Sequence, residues 1–278
     1  MNQRPLRIVI IGSGVAGSLT AAGLSSDPRF EVICLERAGR DEYEGGGTGL
    51  NIGPNALKTL RAFFPEVARR LEAVSLPWEK FFVGLTNGRE LLNFRLSDFA
   101  EHSGLRLRWS ELYRQMRDPV LDIARFGCSV EDFETTPEGL RVHFRDVASG
   151  EAEVLDGVDL LIGADGRFSK VREVFYQPPP SRLAGMGICR LLVEPEAEPM
   201  PLDEYGQWFN GPCRLLGFPL PEGAAYVTAT FPIEIGGAIP ERLKDPAVLR
   251  ELFVPEAGEL CPAATFFLDR LDRDQARL

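Results

Sequence analysis

Gly12, Gly14 and Gly17 stand directly behind the apolar run Leu6–Ile11, and Glu36 closes a second apolar run that begins at Phe30. This spacing suits a dinucleotide. Gly12 permits a tight turn, Gly14 removes the Cβ that would keep main chain away from a pyrophosphate, and Gly17 lets a helix pack close to a strand. In Gly12-Ser13-Gly14-Val15-Ala16-Gly17 the backbone N–H groups at the helix start would face the phosphates. Glu36 follows Gly12 by 24 residues, close to the spacing of about 20 at which a carboxylate meets ribose hydroxyls. An ordinary glycine loop has the same residues without the ligand; the flanking strands and the terminal acid favour the nucleotide.

Two further segments share this chemistry. Asp159-Leu160-Leu161-Ile162-Gly163 is an apolar strand running into Ala164-Asp165-Gly166, with Arg167-Phe168-Ser169-Lys170-Val171-Arg172 behind it. Asp165 is placed to cap the helix that follows or to meet a ligand, and the two roles are compatible. Gly45-Gly46-Gly47-Thr48-Gly49 leads into Pro54-Asn55-Ala56-Leu57. Its glycines let main chain pass close to a ligand or make a flexible surface loop. Pro54 fits the first turn of a helix with Ala56, Leu57, Leu60 and Phe64 as its apolar stripe.

Together these segments resemble the flavoprotein aromatic hydroxylases, the single-component (group A, p-hydroxybenzoate hydroxylase-like) FAD monooxygenases. The resemblance implies an α/β fold: a Rossmann-like FAD/NAD(P)-binding domain with a second β-sheet substrate domain. It implies FAD as cofactor, NAD(P)H as co-substrate, and O2-dependent hydroxylation of a small aromatic or heteroaromatic substrate through a flavin hydroperoxide. By position, Gly12, Ser13, Gly14, Val15, Ala16, Gly17, Glu36, Arg37, Gly47, Thr48, Trp109, Asp165 and Gly166 would hold FAD. Asp165 takes the place of the aspartate that meets the flavin nucleotide's ribose. Ile188–Val193 is similar to the family's W-R-G-L-V strand, with Cys189 at the aromatic position and Leu191 at the glycine. Arg190 matches the family arginine near the flavin, or is a strand residue reaching solvent. No side chain is a convincing acid or base, so no catalytic residue is assigned; the flavin carries the hard chemistry.

The chain departs from the family in two places. At the helix start where many members read R-x-x-L, this chain reads Trp109-Ser110-Glu111-Leu112. Trp109 occupies the arginine position, as in sequences resembling dihydroxypyridine hydroxylases, and Arg106 or Arg108 could compensate. The family's Gly-Asp motif, whose aspartate meets the ribityl chain, has no counterpart, since no Gly-Asp dipeptide occurs in the 278 residues. The resemblance then implies a missing C-terminal segment or a second chain, and admits a flavin-binding protein without hydroxylase activity of its own.

Composition sets the remaining bounds. Apolar residues make up 44% and charged residues 26%, as in an ordinary globular protein with ample core. A net charge of −10 argues against a nucleic-acid partner, and any NAD(P)H site must rely on local arginines. The first apolar run is too short for a signal peptide or a membrane span, which predicts a chain with no membrane partner. Five scattered cysteines without a C-x-x-C read as reduced thiols of a cytoplasmic protein. His102 and His143 are the only histidines and lack metal-ligand spacing. No G-x-S-x-G elbow points to a hydrolase.

The elements that must position the glycines and acids follow from periodicity. Residues 6–36 form a βαβ unit; 79–96 form a hairpin around Asn87-Gly88; 110–125 form a helix with Pro119 as an awkward fit. Strands with a turn at Pro137-Glu138-Gly139 precede the Asp165 strand. Pro178-Pro179-Pro180 is a linker, and strands at 187–193, 213–218 and 225–231 form a second sheet. The expected division is residues 1–75 and 98–176 for the FAD-binding domain, and 76–97 and 177–278 for the substrate domain. Trp208, Phe209, Phe218 and Phe231 line an aromatic pocket or fill a core.

Overall fold

A computed structural model describes residues 4–42, 48–176, 184–195, 200–201 and 204–271. The chain opens with β1 (Leu6–Ile11), α1 (Val15–Ser25), β2 (Phe30–Glu36) and β3 (Gly49–Ile52). Next come α2 (Pro54–Phe63), α3 (Pro65–Ala73), β4 (Leu76–Trp78), β5 (Lys80–Leu85), β6 (Glu90–Arg95) and β7 (Gly104–Arg108). Helix α4 (Trp109–Arg117) is followed by β8 (Ala124–Phe126), β9 (Cys128–Thr136), β10 (Gly139–Asp146), β11 (Ala152–Val158) and β12 (Leu160–Gly163). After α5 (Lys170–Phe175) run β13 (Met186–Val193), β14 (Tyr205–Asn210), β15 (Cys213–Pro219) and β16 (Ala225–Pro232), then α6 (Pro246–Glu251) and α7 (Pro262–Leu271). Residues 1–45 with 112–180 form one compact unit, and 46–111 with 181–278 form another.

The first unit holds a parallel sheet of order β12-β1-β2-β8 and an antiparallel sheet of order β11-β10-β9. From Ile8 to Ile11 central strand β1 is apolar and buried, because both of its faces are covered there. Val9 and Ile11 pack with Leu35 onto Val130, Val142 and Phe144 of the antiparallel sheet. Ile8 and Ile10 pack on the opposite side with Ala21, Val32, Cys34 and Val120. β12 enters the sheet beside β1 although some 150 residues separate them, with Ile10 opposite Ile162 and Ile11 opposite Gly163. This places the ends of β1 and β12 side by side. The helix expected over 110–125 ends at Arg117, and Pro119 sits in a 3₁₀ turn, Asp118–Val120, because proline lacks the N–H that would continue it.

The second unit is built on a six-stranded sheet of order β13-β16-β15-β14-β5-β6 and a small sheet of order β3-β7-β4. Alternation along β13 buries Cys189, Leu191 and Val193 against α6 and α7 residues such as Leu249 and Phe267, while Arg190 remains exposed. Trp208 and Phe231 belong to that same buried face. Phe218 belongs to a separate cluster with Tyr205, Leu220, Trp78, Phe81 and Tyr226. The four aromatics picked out by sequence are thus divided between the two sides of one sheet. The hairpin at Asn87-Gly88 is present, with Gly88 at φ +87°. Among the described residues no helix is long and apolar enough to cross a membrane, and no group of three or more His, Cys, Asp or Glu could hold a metal ion.

The five cysteines are free, and Cys34, Cys128, Cys189 and Cys213 are buried. Burial pushes the Cys34 thiol up to about 12 and the Cys189 thiol up to about 11. At pH 8 the native protein is therefore expected to be alkylated at Cys261 alone, and at all five thiols after unfolding; mass spectrometry of the labelled peptides checks this. Because these folded-state values are raised, the thiols' contribution to stability is complete below the ordinary thiol range. It is lost as pH rises through about 11 to 12.

Candidate nucleotide site

The turn after β1 has the glycines that its geometry demands. Gly12 adopts φ +95°, and a Cβ there would lie 2.6 Å from the Ala164 carbonyl oxygen. A Cβ on Gly17 would lie 1.8 Å from the Gly12 oxygen, so the start of α1 crosses the turn in direct backbone contact. Gly14 differs: a Cβ on it would meet nothing within 4 Å. It is the N-cap of α1 and provides no side-chain cap, and the helix has no acidic residue in its first turn. The first N–H groups of α1 thus carry the positive end of the helix dipole next to open space, the arrangement that suits an anion. Val15 is half-buried, Ala16 exposed and Gly17 buried.

Glu36, at the end of β2, is 9% exposed. Its Oε2 accepts from the Ser13 N–H at 2.7 Å and from the Ser13 hydroxyl at 3.1 Å, and its Oε1 accepts from the Ala38 N–H at 2.8 Å. A carboxylate has about four acceptor positions, so Glu36 braces the glycine turn and retains capacity for a further donor. Arg37 is exposed beside it.

Asp165 arrives from the end of β12. The site of the missing Gly12 Cβ lies 3.0 Å from the Asp165 Cα, so the two motifs meet. Asp165 Oδ2 accepts from the Lys170 N–H at 2.6 Å, while Ser169 is the N-cap of α5 and accepts from the Arg172 N–H. Oδ1 of Asp165 is buried with no hydrogen-bond partner among the described residues. Gly166 adopts φ +72° and has open space where a Cβ would be. A buried carboxylate oxygen without a donor is costly. A ligand hydroxyl would supply one. The uncapped helix start, the opening at Gly14 and the donorless Asp165 oxygen fit the phosphates and hydroxyls of an adenine dinucleotide.

Gly12, Ser13, Gly14, Val15, Ala16, Gly17, Glu36, Arg37, Asp165 and Gly166 all lie in the first unit. Thr48 and Trp109 lie in the second, where the Trp109 N–H donates to the Thr48 carbonyl at 2.9 Å beside the β3–β7 pairing. Gly47 lies outside the described residues. Arg106 is committed within the second unit: its Nε donates to the Pro77 carbonyl at 2.9 Å, Glu204 is 3.6 Å from it, and burial holds its guanidinium below the usual value. Arg108 pairs with Glu194 at 3.1 Å.

Sequence reading missed Arg117. It is 5% exposed, donates from Nε to the Ser13 carbonyl at 3.1 Å, and lies 3.6 Å from Glu36 Oε2. No short motif announces it; the only signal was an arginine at the end of an amphipathic helix.

The fold and this turn define a Rossmann-like α/β unit whose glycine turn suits a dinucleotide. The chain is related to the FAD-dependent aromatic hydroxylases and monooxygenases. It is 29% identical over 221 residues to 6-hydroxynicotinate 3-monooxygenase of Pseudomonas fluorescens, covering 76% of this chain and 54% of that protein. It is 28% identical over 203 residues to 3-amino-4-hydroxybenzoate 2-monooxygenase of Streptomyces cremeus, covering 72% and 49%. Its fold matches the crystal structure of Klebsiella pneumoniae HpxO complexed with FAD and uric acid. That match has a TM-score of 0.76 at 22% identity and covers 95% of this chain and 64% of that one. The chain spans about half the length of these curated relatives. No protein-family model matches it.

Proposed function

We propose that the chain is an FAD-dependent monooxygenase that uses NAD(P)H and O2 to hydroxylate a small aromatic or heteroaromatic compound, the alternative being a flavin-binding protein without hydroxylase activity of its own. The observation that carries this reading is the junction of Gly12, Gly14 and Gly17 with Asp165, in a chain whose relatives are FAD-dependent monooxygenases. The N–H groups of Gly14, Val15, Ala16 and Gly17 would hold the pyrophosphate. Glu36 and Asp165 would accept from ribose hydroxyls. Gly166 would give main chain close access, and exposed Arg37 would add a cation. Gly47, Thr48 and Trp109 are assigned to FAD by the resemblance alone. FAD, when bound, supplies the electron transfer between NAD(P)H and O2; the chain's own residues bind it, orient it and exclude water. Five free thiols support a reducing, cytoplasmic location.

The test is a visible spectrum of the purified 278-residue chain before and after addition of FAD, followed by NADH and NADPH oxidation assays with hydroxylated benzoates and pyridines. A protein-bound oxidised-flavin spectrum and substrate-stimulated oxidation are expected. Bound flavin with no turnover identifies a flavin-binding protein without hydroxylase activity. A folded chain that ignores added FAD overturns the reading.

A further inference from the structure

We propose that Arg117 is a positioning residue for the dinucleotide, holding the glycine turn and Glu36 in the arrangement that receives it. The inference rests on the flavin reading above. Ser13 is gripped from both sides. Its N–H and hydroxyl donate to Glu36, and its carbonyl accepts from Arg117 Nε at 3.1 Å and from the Ser18 hydroxyl at 2.9 Å. A trans peptide is planar with C=O and N–H opposed. Fixing the Ser13 carbonyl toward Arg117 therefore turns the Gly14 N–H the other way, and Gly14 is the residue with open space where a side chain would be.

Charge gives the second part of the role. Glu36 places a buried carboxylate next to a site for phosphates, and uncompensated it would repel them. The Arg117 guanidinium, 3.6 Å from Glu36 Oε2 and 6% exposed, offsets that charge from below. It is held there by the rings of Tyr113 and Phe126, each 5.5 Å away. Arginine suits the task, because its planar fork can serve a carbonyl and a carboxylate together while lying against aromatic rings.

The experiment compares the full chain with Arg117→Lys, Arg117→Met, Glu36→Gln and the Arg117→Met/Glu36→Gln pair. FAD and ADP are titrated by fluorescence or calorimetry, and the thermal midpoint of each ligand-free protein is recorded. Arg117→Met is expected to weaken FAD and ADP alike by roughly 30-fold, since both carry the adenosine diphosphate, and Arg117→Lys recovers part of that loss. With Glu36→Gln already in place, Arg117→Met costs clearly less than it does alone, a coupling that a general loss of stability would not produce. If Arg117→Met does not fold, the Arg117→Lys and Glu36→Gln titrations are read instead. Variants that bind FAD and ADP as tightly as the parent overturn the inference and leave the flavin reading intact. So do losses that track the thermal midpoint and add independently of Glu36. A parent chain that binds neither ligand overturns both.

Discussion

Gly14→Val leaves the chain folded and abolishes its binding of FAD, whereas Gly17→Val prevents the first unit from folding. Both expectations come from the same turn. A side chain at position 14 enters space that the protein leaves open, so the folded state loses only the difference between glycine and valine at an N-cap, about 1 kcal/mol. That open space is where the diphosphate must approach main chain, and at least a ~100-fold loss of FAD affinity, about 2.8 kcal/mol, is expected. At position 17 the added Cβ would lie 1.8 Å from the Gly12 oxygen. Neither backbone can give way without parting α1 from the parallel sheet, a penalty of about 3 kcal/mol or more. Circular dichroism with FAD titration separates the outcomes. A well-folded Gly14→Val that binds FAD at parental affinity would show that the diphosphate does not lie at this turn.

Asp165→Ala gives the second large effect, of a different kind. In the ligand-free protein the substitution removes the hydrogen bond from the Lys170 N–H and a longer one from the Val171 N–H, together worth about 1–1.5 kcal/mol. It also removes a buried carboxylate oxygen that has no donor among the described residues, an expense of about 1–3 kcal/mol. The two terms oppose each other, and the thermal midpoint of the ligand-free chain is expected to move little or to rise. With FAD the sign reverses. The parent gains a donor for Asp165 on binding, and the variant does not, so FAD affinity falls tenfold or more, as for a hydrogen bond to a charged group of about 1.5–3 kcal/mol. At an FAD concentration a hundred times the parental Kd, the parent is stabilised by about 2.7 kcal/mol, and the variant loses half or more of that increment. Scanning calorimetry with and without FAD reads both signs in one experiment. A ligand-free Asp165→Ala protein that is strongly destabilised yet binds FAD normally would make Asp165 a helix-cap residue alone.

Much of the fold is written locally. Leu6–Ile11, the three glycines, α1 and the strand to Glu36 are neighbours along the chain, and their periods change from two to 3.6 and back within 31 residues. The hairpin at Asn87-Gly88 and the breaks at Pro65 and Pro119 are equally local, because each depends on one residue's backbone freedom or missing N–H. The strands near 187–193, 213–218 and 225–231 were legible from alternation. β14 was not recognised as a strand, although it forms a hairpin with β15 as well as pairing with β5 in parallel across more than 120 residues; β3 was read only as part of a glycine-rich loop. The aromatics Trp208 and Phe209 are adjacent in sequence and point to opposite sides of the sheet, which only their place in a strand decides.

By itself, then, the sequence determined the chemistry that the chain can offer. Its glycines, Glu36 and Asp165 are residue types and spacings that suit phosphates and hydroxyls, and local sterics make those choices visible. Only the tertiary structure brought them together. It inserted β12 beside β1, so that Gly12 touches the turn bearing Asp165, and it carried Arg117 beneath Ser13 and Glu36. These contacts join residues more than a hundred positions apart or buried in different elements. Their energies come from packing and from charges removed from water, and no pattern along a single strand or helix records such terms.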